Sequence, residues 1–276
     1  MKSSTRKQIA ADTLAVIEKG SYRNNLGETV SIGAETAAAV AAAELFRDGD
    51  FPETLAPAGN ETATRFEVTD ETTLEAAKRI CREDAAADPF VLNFASAKNP
   101  GGGFLRGAEA QEESLARSSA LYPTLTKFFE LYEYNRGRAT CLYSDWMIYS
   151  PRVPVFRNDD GSLLQKPYLA TFLTSPAVNA GVVRRQEPHN VARIEPVNRE
   201  RARKFLWIAN QKRHQTLVLG AWGCGVFQNY PAEIARIFDE LFAGEFENRF
   251  ERVIMAIYDR TPEKKVYGAF AEVFAK

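Results

Sequence analysis

The stretch Val91-Leu92-Asn93-Phe94-Ala95, continued by Ser96 to Asn99, Pro100 and the triplet Gly101-Gly102-Gly103, decides the fold. Seven residues later Gln111-Glu112-Glu113 open a run with helical character. An apolar run ending in glycines reads as a buried strand that delivers a loop to something bound. Glycine lets a backbone approach a ligand closely and takes up φ > 0 without steric cost. Two acids in a first helical turn have a plain explanation, because they complement the positive end of the helix dipole. A catalytic role for them has to be argued against that.

The same pattern returns downstream. Leu217-Val218-Leu219 runs into Gly220-Ala221-Trp222-Gly223-Cys224-Gly225-Val226-Phe227-Gln228-Asn229, and a helix begins near Pro231. Two such loops on one sheet could wall a cleft from both sides, their N–H groups cradling a diphosphate. Neither loop fits GxxxxGK[ST] or the full GxGxxG pattern, which argues against a P-loop or Rossmann site.

Working outward, residues 4–19 alternate Ile9, Leu14, Val16 and Ile17 with charges and read as an amphipathic helix stopped by Gly20. A short strand is expected over Glu28–Ile32, then a helix over the alanine-rich run Ala34–Phe46. Residues 48–63 hold Pro52, Pro57 and Gly59 and read as a connection. From Thr64 strands and helices alternate: a strand at Arg65–Thr69, a helix Leu74–Ala87 capped by Asp70 or Thr72, and the strand Phe90–Ala95. Helices are predicted over Glu109–Leu121 and Thr124–Tyr134, and short strands over Trp146–Tyr149 and Val153–Phe156, either side of Pro151. A turn at Asn158–Gly161 and a strand at Tyr168–Leu173 follow, then a loop over Ala177–Pro188. The remainder reads as helix Asn198–Lys212, strand Thr216–Leu219, helix Ala232–Phe242, strand Arg252–Tyr258 and helix Glu263–Phe274. This alternation implies a mixed sheet with helices on both faces, whose ligands bind beyond the carboxyl ends of the strands.

Composition sets outer limits. The 276 residues are 45% hydrophobic and 26% charged with a net charge of −1, which argues against sequence-independent binding to duplex DNA. Cys81, Cys141 and Cys224 are far apart and odd in number, and no signal peptide is evident, so a reducing, cytoplasmic setting is expected. With only His189 and His214, and no CxxC or HExxH, no metal site is expected. No apolar run reaches the roughly 20 residues that span a bilayer.

Taken together, Asn99-Pro100-Gly101-Gly102-Gly103 and Gln111-Glu112-Glu113 resemble the signature of poly(ADP-ribose) glycohydrolases, and of their compact bacterial branch in particular. Gly220–Asn229 resembles the phosphate loop of the macrodomain fold, and Met147–Phe156 and Leu173–Asn179 resemble the same branch. The resemblance implies a three-layer α/β/α macrodomain with a mixed central sheet and an N-terminal helical extension. On that reading residues 1–63 pack onto a core of residues 64–276 as one catalytic domain. It further implies hydrolysis of ribose–ribose O-glycosidic bonds in poly(ADP-ribose), with ADP-ribose as product, no cofactor, and a monomer that acts on the polymer or on ADP-ribosylated proteins.

Glu113 is then the acid/base. Glycosidic cleavage passes through an oxocarbenium-like state, and the departing oxygen needs a proton from a carboxylic acid whose pKa is raised. Adjacent helical residues point about 100° apart, so Glu112 and Glu113 do not act as opposed acid and nucleophile. Glu112 is read as a holder of ribose hydroxyls, and Gln111 as a brace. By the same resemblance Gly101, Gly102 and Gly103 with Gly223, Cys224, Gly225, Val226 and Phe227 bind the diphosphate. Phe227 packs on the distal ribose or belongs to the core. Asn99 reaches the terminal ribose or caps its own turn. Cys224, with no histidine nearby, reads as a small loop residue rather than a nucleophile. Arg184-Arg185 either touch polymer phosphates or are surface. Position 228 departs from the pattern: glycine is expected and Gln228 stands there, which alters the loop or sends a side chain to the ligand. The rival readings are a non-catalytic ADP-ribose-binding macrodomain, and a hydrolase of mono-ADP-ribosylated protein or of an ADP-ribose phosphoester.

Overall fold

The computed structural model describes residues 1–52 and 63–275. In chain order these form α1 (Ser3–Lys19), β1 (Ser21–Arg23), β2 (Thr29–Ser31), α2 (Gly33–Ala42), β3 (Glu44–Phe46), β4 (Arg65–Thr69), α3 (Thr73–Glu83) and β5 (Phe90–Phe94). There follow α4 (Gln111–Ser118), α5 (Leu121–Thr126), α6 (Phe129–Gly137), β6 (Met147–Arg157), β7 (Leu163–Ser175) and α7 (Ala180–Gln186). The chain closes with α8 (Ile194–Gln211), β8 (Thr216–Leu219), α9 (Pro231–Ala243), β9 (Arg252–Ala256) and α10 (Lys265–Phe274). Among the described residues no helix is long and apolar enough to cross a membrane.

Seven strands make one sheet in the order β3-β6-β7-β5-β8-β9-β4, with β1 and β2 forming a separate hairpin. The run β7-β5-β8-β9-β4 is parallel, and β6 and β3 are antiparallel additions at one edge. The central strands are apolar on both faces because both faces are covered. Phe90 and Leu92 of β5 join a core with Phe205 of α8, Phe238 of α9 and Phe270 of α10. Val91 between them joins the opposite core, with Leu74 of α3, Leu115 of α4 and Leu121 of α5. Leu217 and Leu219 alternate with Val218 in the same way, and Val253 and Met255 with Ile254. The period of two in the strands thus divides the molecule into the three layers expected.

Local expectations fail where tertiary contacts outweigh propensity. The alanine run stops at Ala42 rather than Phe46, because Glu44–Phe46 pair with Met147–Tyr149 at the sheet edge. Lys127 Nζ donates to the carbonyls of Val40, Ala41 and Ala43, which ends the helix. The stretch predicted as a loop over Ala177–Pro188 contains α7, a helix of 7 residues, too short to show a period, capped by Asn179. The helix predicted over Glu109–Leu121 is only α4, because Ser119 turns extended to bridge Val155; α5 and α6 replace the single helix expected after it. The two strands around Pro151 are one, β6, with a bulge between Ser150 and Val153. Of the connection over 48–63, residues 53–62 lie outside the described residues.

One buried cation ties the site-bearing loops to the helical layer. Arg201 of α8, with 0% of its surface exposed, donates from Nε to Asp145 (2.9 Å), from Nη1 to the Pro176 carbonyl (2.8 Å) and from Nη2 to the Leu142 carbonyl (2.9 Å). Lys204 Nζ reaches the other oxygen of Asp145 at 2.5 Å. The loop before β6 and the end of β7 are held together through this guanidinium. Removing it leaves a carboxylate short of its partner and carbonyls without donors. We expect Arg201→Ala to lower stability by about 3–5 kcal/mol in denaturant unfolding; a loss below ~1 kcal/mol would show that these groups find other partners.

Candidate active site

The carboxyl ends of β5, β8 and β9 open into a cavity of about 800 Å³. The ladder between β5 and β8 ends at Val91 and Val218, and beyond it the loops of the two strands separate into opposite walls. Of the residues singled out in the sequence, Asn99, Gly102, Gly103, Gln111, Glu112, Glu113, Gly223, Cys224, Gly225, Val226 and Phe227 line the cavity. Gly101 lies behind the wall: it is buried, a Cβ there would meet the Phe104 ring at 2.9 Å, and its N–H is directed to Glu112. Two further wall segments went unread in the sequence, the loop Ala256–Arg260 after β9 and the helix start Thr72–Glu75.

Gln111 fixes the start of α4 against β5. Its Oε1 accepts from the Phe94 N–H at 2.8 Å, and its Nε2 donates to the Leu92 carbonyl at 2.8 Å and to Thr73 Oγ1 at 3.2 Å. Both ends of the amide are thereby engaged by the scaffold. Helix geometry then sends the two glutamates different ways. Glu112 is 2% exposed; its Oε2 accepts from the Ser96 N–H at 2.6 Å and its Oε1 from Asn93 Nδ2 at 3.4 Å. Burial pushes its carboxyl well above the ordinary range, and the charge of Glu113 adds to this. Glu113 stays half-buried on the wall, where Oε1 accepts from the Gly103 N–H at 2.8 Å. Its Oε2 has no hydrogen-bond partner among the described residues. The sequence reading places the buried, raised acid at Glu113; in the structure the enclosed carboxyl is that of Glu112, one helix position inward.

The glycine triplet is shaped by this pair. Gly102 has φ 61°, and a Cβ there would overlap Glu113 Oε1 and lie 3.0 Å from Glu112 Oε2. No side chain fits between the loop and the carboxyls.

The second loop is rooted by Trp222, fully buried, whose Nε1 donates to the Ser175 carbonyl at 2.9 Å. Gly223, at φ 70°, leaves room for Asn229, whose Nδ2 bonds the carbonyls of Val178 (2.9 Å) and Gly223 (3.0 Å) while Asn198 Nδ2 donates to its Oδ1 at 2.8 Å. Asn198 and Asn229 thus hold the loop, and nothing in the spacing of the charged helix around Asn198 marked it. Gln228 explains the expectation of glycine: its φ is 57°. Its side chain turns away from the cavity onto Gly181; Arg185 Nη1 donates to Oε1 at 3.2 Å and Arg184 Nη1 to the Gln228 carbonyl at 2.8 Å. The arginine pair therefore braces the loop from outside. Phe227 packs on the core and also lines the cavity, with its ring 6.0 Å from that of Tyr143. Burial pushes the Cys224 thiol up to about 12, so it carries no thiolate for attack.

Asp159, in the turn between β6 and β7, is a further wall residue with a positioning role. It accepts from Ser114 Oγ and from Thr72 Oγ1, both at 2.6 Å, and so joins α4 to the cap of α3.

A three-layer mixed sheet, two glycine loops at adjacent parallel strand ends and a carboxylate pair between them define a macrodomain-type glycosidase site. Comparison with known proteins agrees. The family model described as microbial-type PARG, catalytic domain, matches residues 10–158. The crystal structure of poly(ADP-ribose) glycohydrolase (PARG) from Thermomonospora curvata is 44% identical, with 98% of this chain and 100% of that one covered and a TM-score of 0.92. Its complex with the inhibitor ADP-HPD gives 43% identity, 98% and 99% coverage and a TM-score of 0.88. PARG from Deinococcus radiodurans in complex with ADP-ribose is 44% identical over 86% of this chain and 96% of that one, with a TM-score of 0.77. No curated protein matches. The chain belongs to the microbial-type PARG family.

Two outcomes follow from the geometry. Gly102→Ala forces Glu113 aside and puts an alanine at φ 61°; we expect turnover to fall by about 100-fold, as a ~1 Å displacement inside an active site does, with stability in denaturant unfolding lower by about 1–2 kcal/mol from the left-handed backbone. Glu112 binds its proton more tightly folded than unfolded, so its contribution to stability is lost as pH rises from the ordinary 4.5 toward the raised value. Glu112→Gln has no such proton to lose. Its melting temperature relative to the parent chain should climb with pH across that window, and a constant difference would contradict the burial argument.

Proposed function

We propose that this protein hydrolyses poly(ADP-ribose), cleaving ribose–ribose O-glycosidic bonds and releasing ADP-ribose from the polymer end. Membership of the microbial-type PARG family supports the activity. The inhibitor and ADP-ribose complexes of its relatives support an ADP-ribose unit as the occupant of the cavity. One observation carries the assignment of roles: Glu113 stands on the cavity wall with Oε1 held by the Gly103 N–H and Oε2 unengaged among the described residues, while both oxygens of Glu112 already accept from the protein.

In this reading the diphosphate lies against the N–H groups of Gly223, Gly225, Val226 and Phe227, because on the first loop the Gly102 N–H already donates to the Asn99 carbonyl and the Gly103 N–H to Glu113. The distal ribose then faces Glu113, with Phe227 against it and Asn99 near its rim. Protonated Glu113 gives its proton to the departing oxygen as the C1–O bond breaks and positive charge develops on the ribose. The resulting carboxylate takes a proton from water as that water attacks C1, which returns the acid form. Glu112 holds ribose hydroxyls from its enclosed position, and Gln111 keeps α4 in register. Residues 1–276 act as one catalytic domain, a monomer in the cytoplasm, with no DNA partner.

Glu113→Gln preserves shape and removes the proton. We expect it to abolish release of ADP-ribose from the polymer, with ADP-ribose binding within about threefold of the parent chain because a neutral isostere leaves the cradle intact. A parent chain that binds ADP-ribose and releases none from polymer would make it a reader. Release only from mono-ADP-ribosylated protein would move the substrate class.

A further inference from the structure

We propose that Arg106 holds the diphosphate of the departing polymer unit, the part of the substrate that leaves when the glycosidic bond breaks. This rests on the poly(ADP-ribose) reading above. Three side-chain cations occur among the described residues that line the cavity: Arg106, Arg117 and Arg260. Arg117 is buried and donates to the Ala108 carbonyl at 2.7 Å. Arg260, on the loop after β9, lies 4.7 Å over the Tyr258 ring and donates to its hydroxyl at 2.5 Å. Arg106 is exposed, and its guanidinium has no partner among the described residues. The neighbouring acid Glu109 is engaged by Arg6 at 2.6 Å.

The backbone that carries Arg106 is built in firmly although its side chain is free. Phe104 is fully buried, with its ring 5.0 Å from that of Tyr122. The Gly107 carbonyl accepts from Arg6 Nε at 2.8 Å and from Ser3 Oγ at 3.4 Å, so α1 pins the turn from outside. The turn is also coupled to the acid: the Arg106 N–H donates to the Gly103 carbonyl at 2.9 Å, and the Gly103 N–H donates to Glu113.

Polymer chemistry says what belongs there. The retained unit places its own diphosphate toward Gly223–Phe227, so whatever is joined to its distal ribose must continue past Glu113 on the other side. The nearest phosphate of that departing unit lies across one ribose ring from the bond that breaks. A guanidinium suits it, since its planar fork matches phosphate oxygens in a way a point charge does not. Arg106 therefore discriminates among leaving groups and is silent toward the product.

The test compares the parent chain, Arg106→Ala and Arg106→Lys on poly(ADP-ribose) and on an ADP-ribosyl aryl glycoside, whose leaving group bears no phosphate. On polymer, Arg106→Ala should lower kcat/KM roughly tenfold, a charged hydrogen bond at an exposed position being worth about that, and Arg106→Lys should recover part. Aryl glycoside turnover and ADP-ribose binding should stay unchanged, and added salt should narrow the gap on polymer alone. Equal loss on both substrates, or no loss on polymer, overturns the proposal while leaving the glycohydrolase reading intact. A parent chain inactive on polymer overturns both.

Discussion

The amide of Gln111 stands where a strand would otherwise be. On its β8 side, β5 is paired only as far as Val91, and the Leu92 carbonyl and Phe94 N–H would be left open at the point where the cleft begins. Gln111 supplies one acceptor and one donor to those two groups. Unpaired backbone groups inside a protein are costly, so the cleft can open only because this side chain closes the ladder. Its placement also sets the position of α4, and hence of Glu112 and Glu113, to within a hydrogen-bond length of the sheet. The glycine loop, the wall of the cavity and the helical layer beneath are all referred to that contact.

From this anchor the two carboxyls separate by burial rather than by distance. Glu112 is drawn under the loop, where Ser96, Asn93 and Gly101 answer its oxygens and the low-polarity surroundings favour its protonated form. Glu113 faces the cavity with one oxygen held and the other without a partner among the described residues. Enclosing a carboxyl is unfavourable for folding, and the rest of the site shows where the compensation comes from: rigid supports that reach into the cores on both faces. Trp222, Asn198 and Asn229 hold the second glycine loop, Arg201 holds the neighbouring segments, and α1 presses on the turn that follows the glycine triplet. Such preorganisation is what lets a small number of groups act on charge that develops only during the reaction.

Much of the site was legible because glycine and paired acids are rare in the combination seen here. Gly102 and Gly103 of the triplet, the Gln111-Glu112-Glu113 run and the Gly223–Phe227 loop face one cavity. Gly101 was assigned to ligand contact and instead supports Glu112 from behind, since spacing does not show which glycine of three faces inward. Thr72–Glu75 reads in the sequence only as a helix start, and Ala256–Arg260 and Asp159 carry no motif; they become part of the site only because sheet order brings their ends together. Gln228 was legible as an exception and illegible as a solution. Its positive φ is held by contacts from α7, a helix that the sequence did not reveal.

The sequence by itself determined the three layers, because strand periodicity, apolar runs and helix signals are local and repeat every few residues. It also determined which acid and glycine types would meet, because their order along the chain is preserved in the loop-to-helix step that carries them. Only the tertiary structure decided which glutamate is enclosed and which faces the cavity. It alone decided that Glu44–Phe46 leave a helix for a sheet edge, and that among the described residues Arg106 is the cavity-lining side-chain cation without a partner. Those outcomes depend on contacts between residues up to about a hundred positions apart, as between Arg6 and Gly107. Burial, charge pairing and edge pairing across such separations leave no periodic trace in the chain.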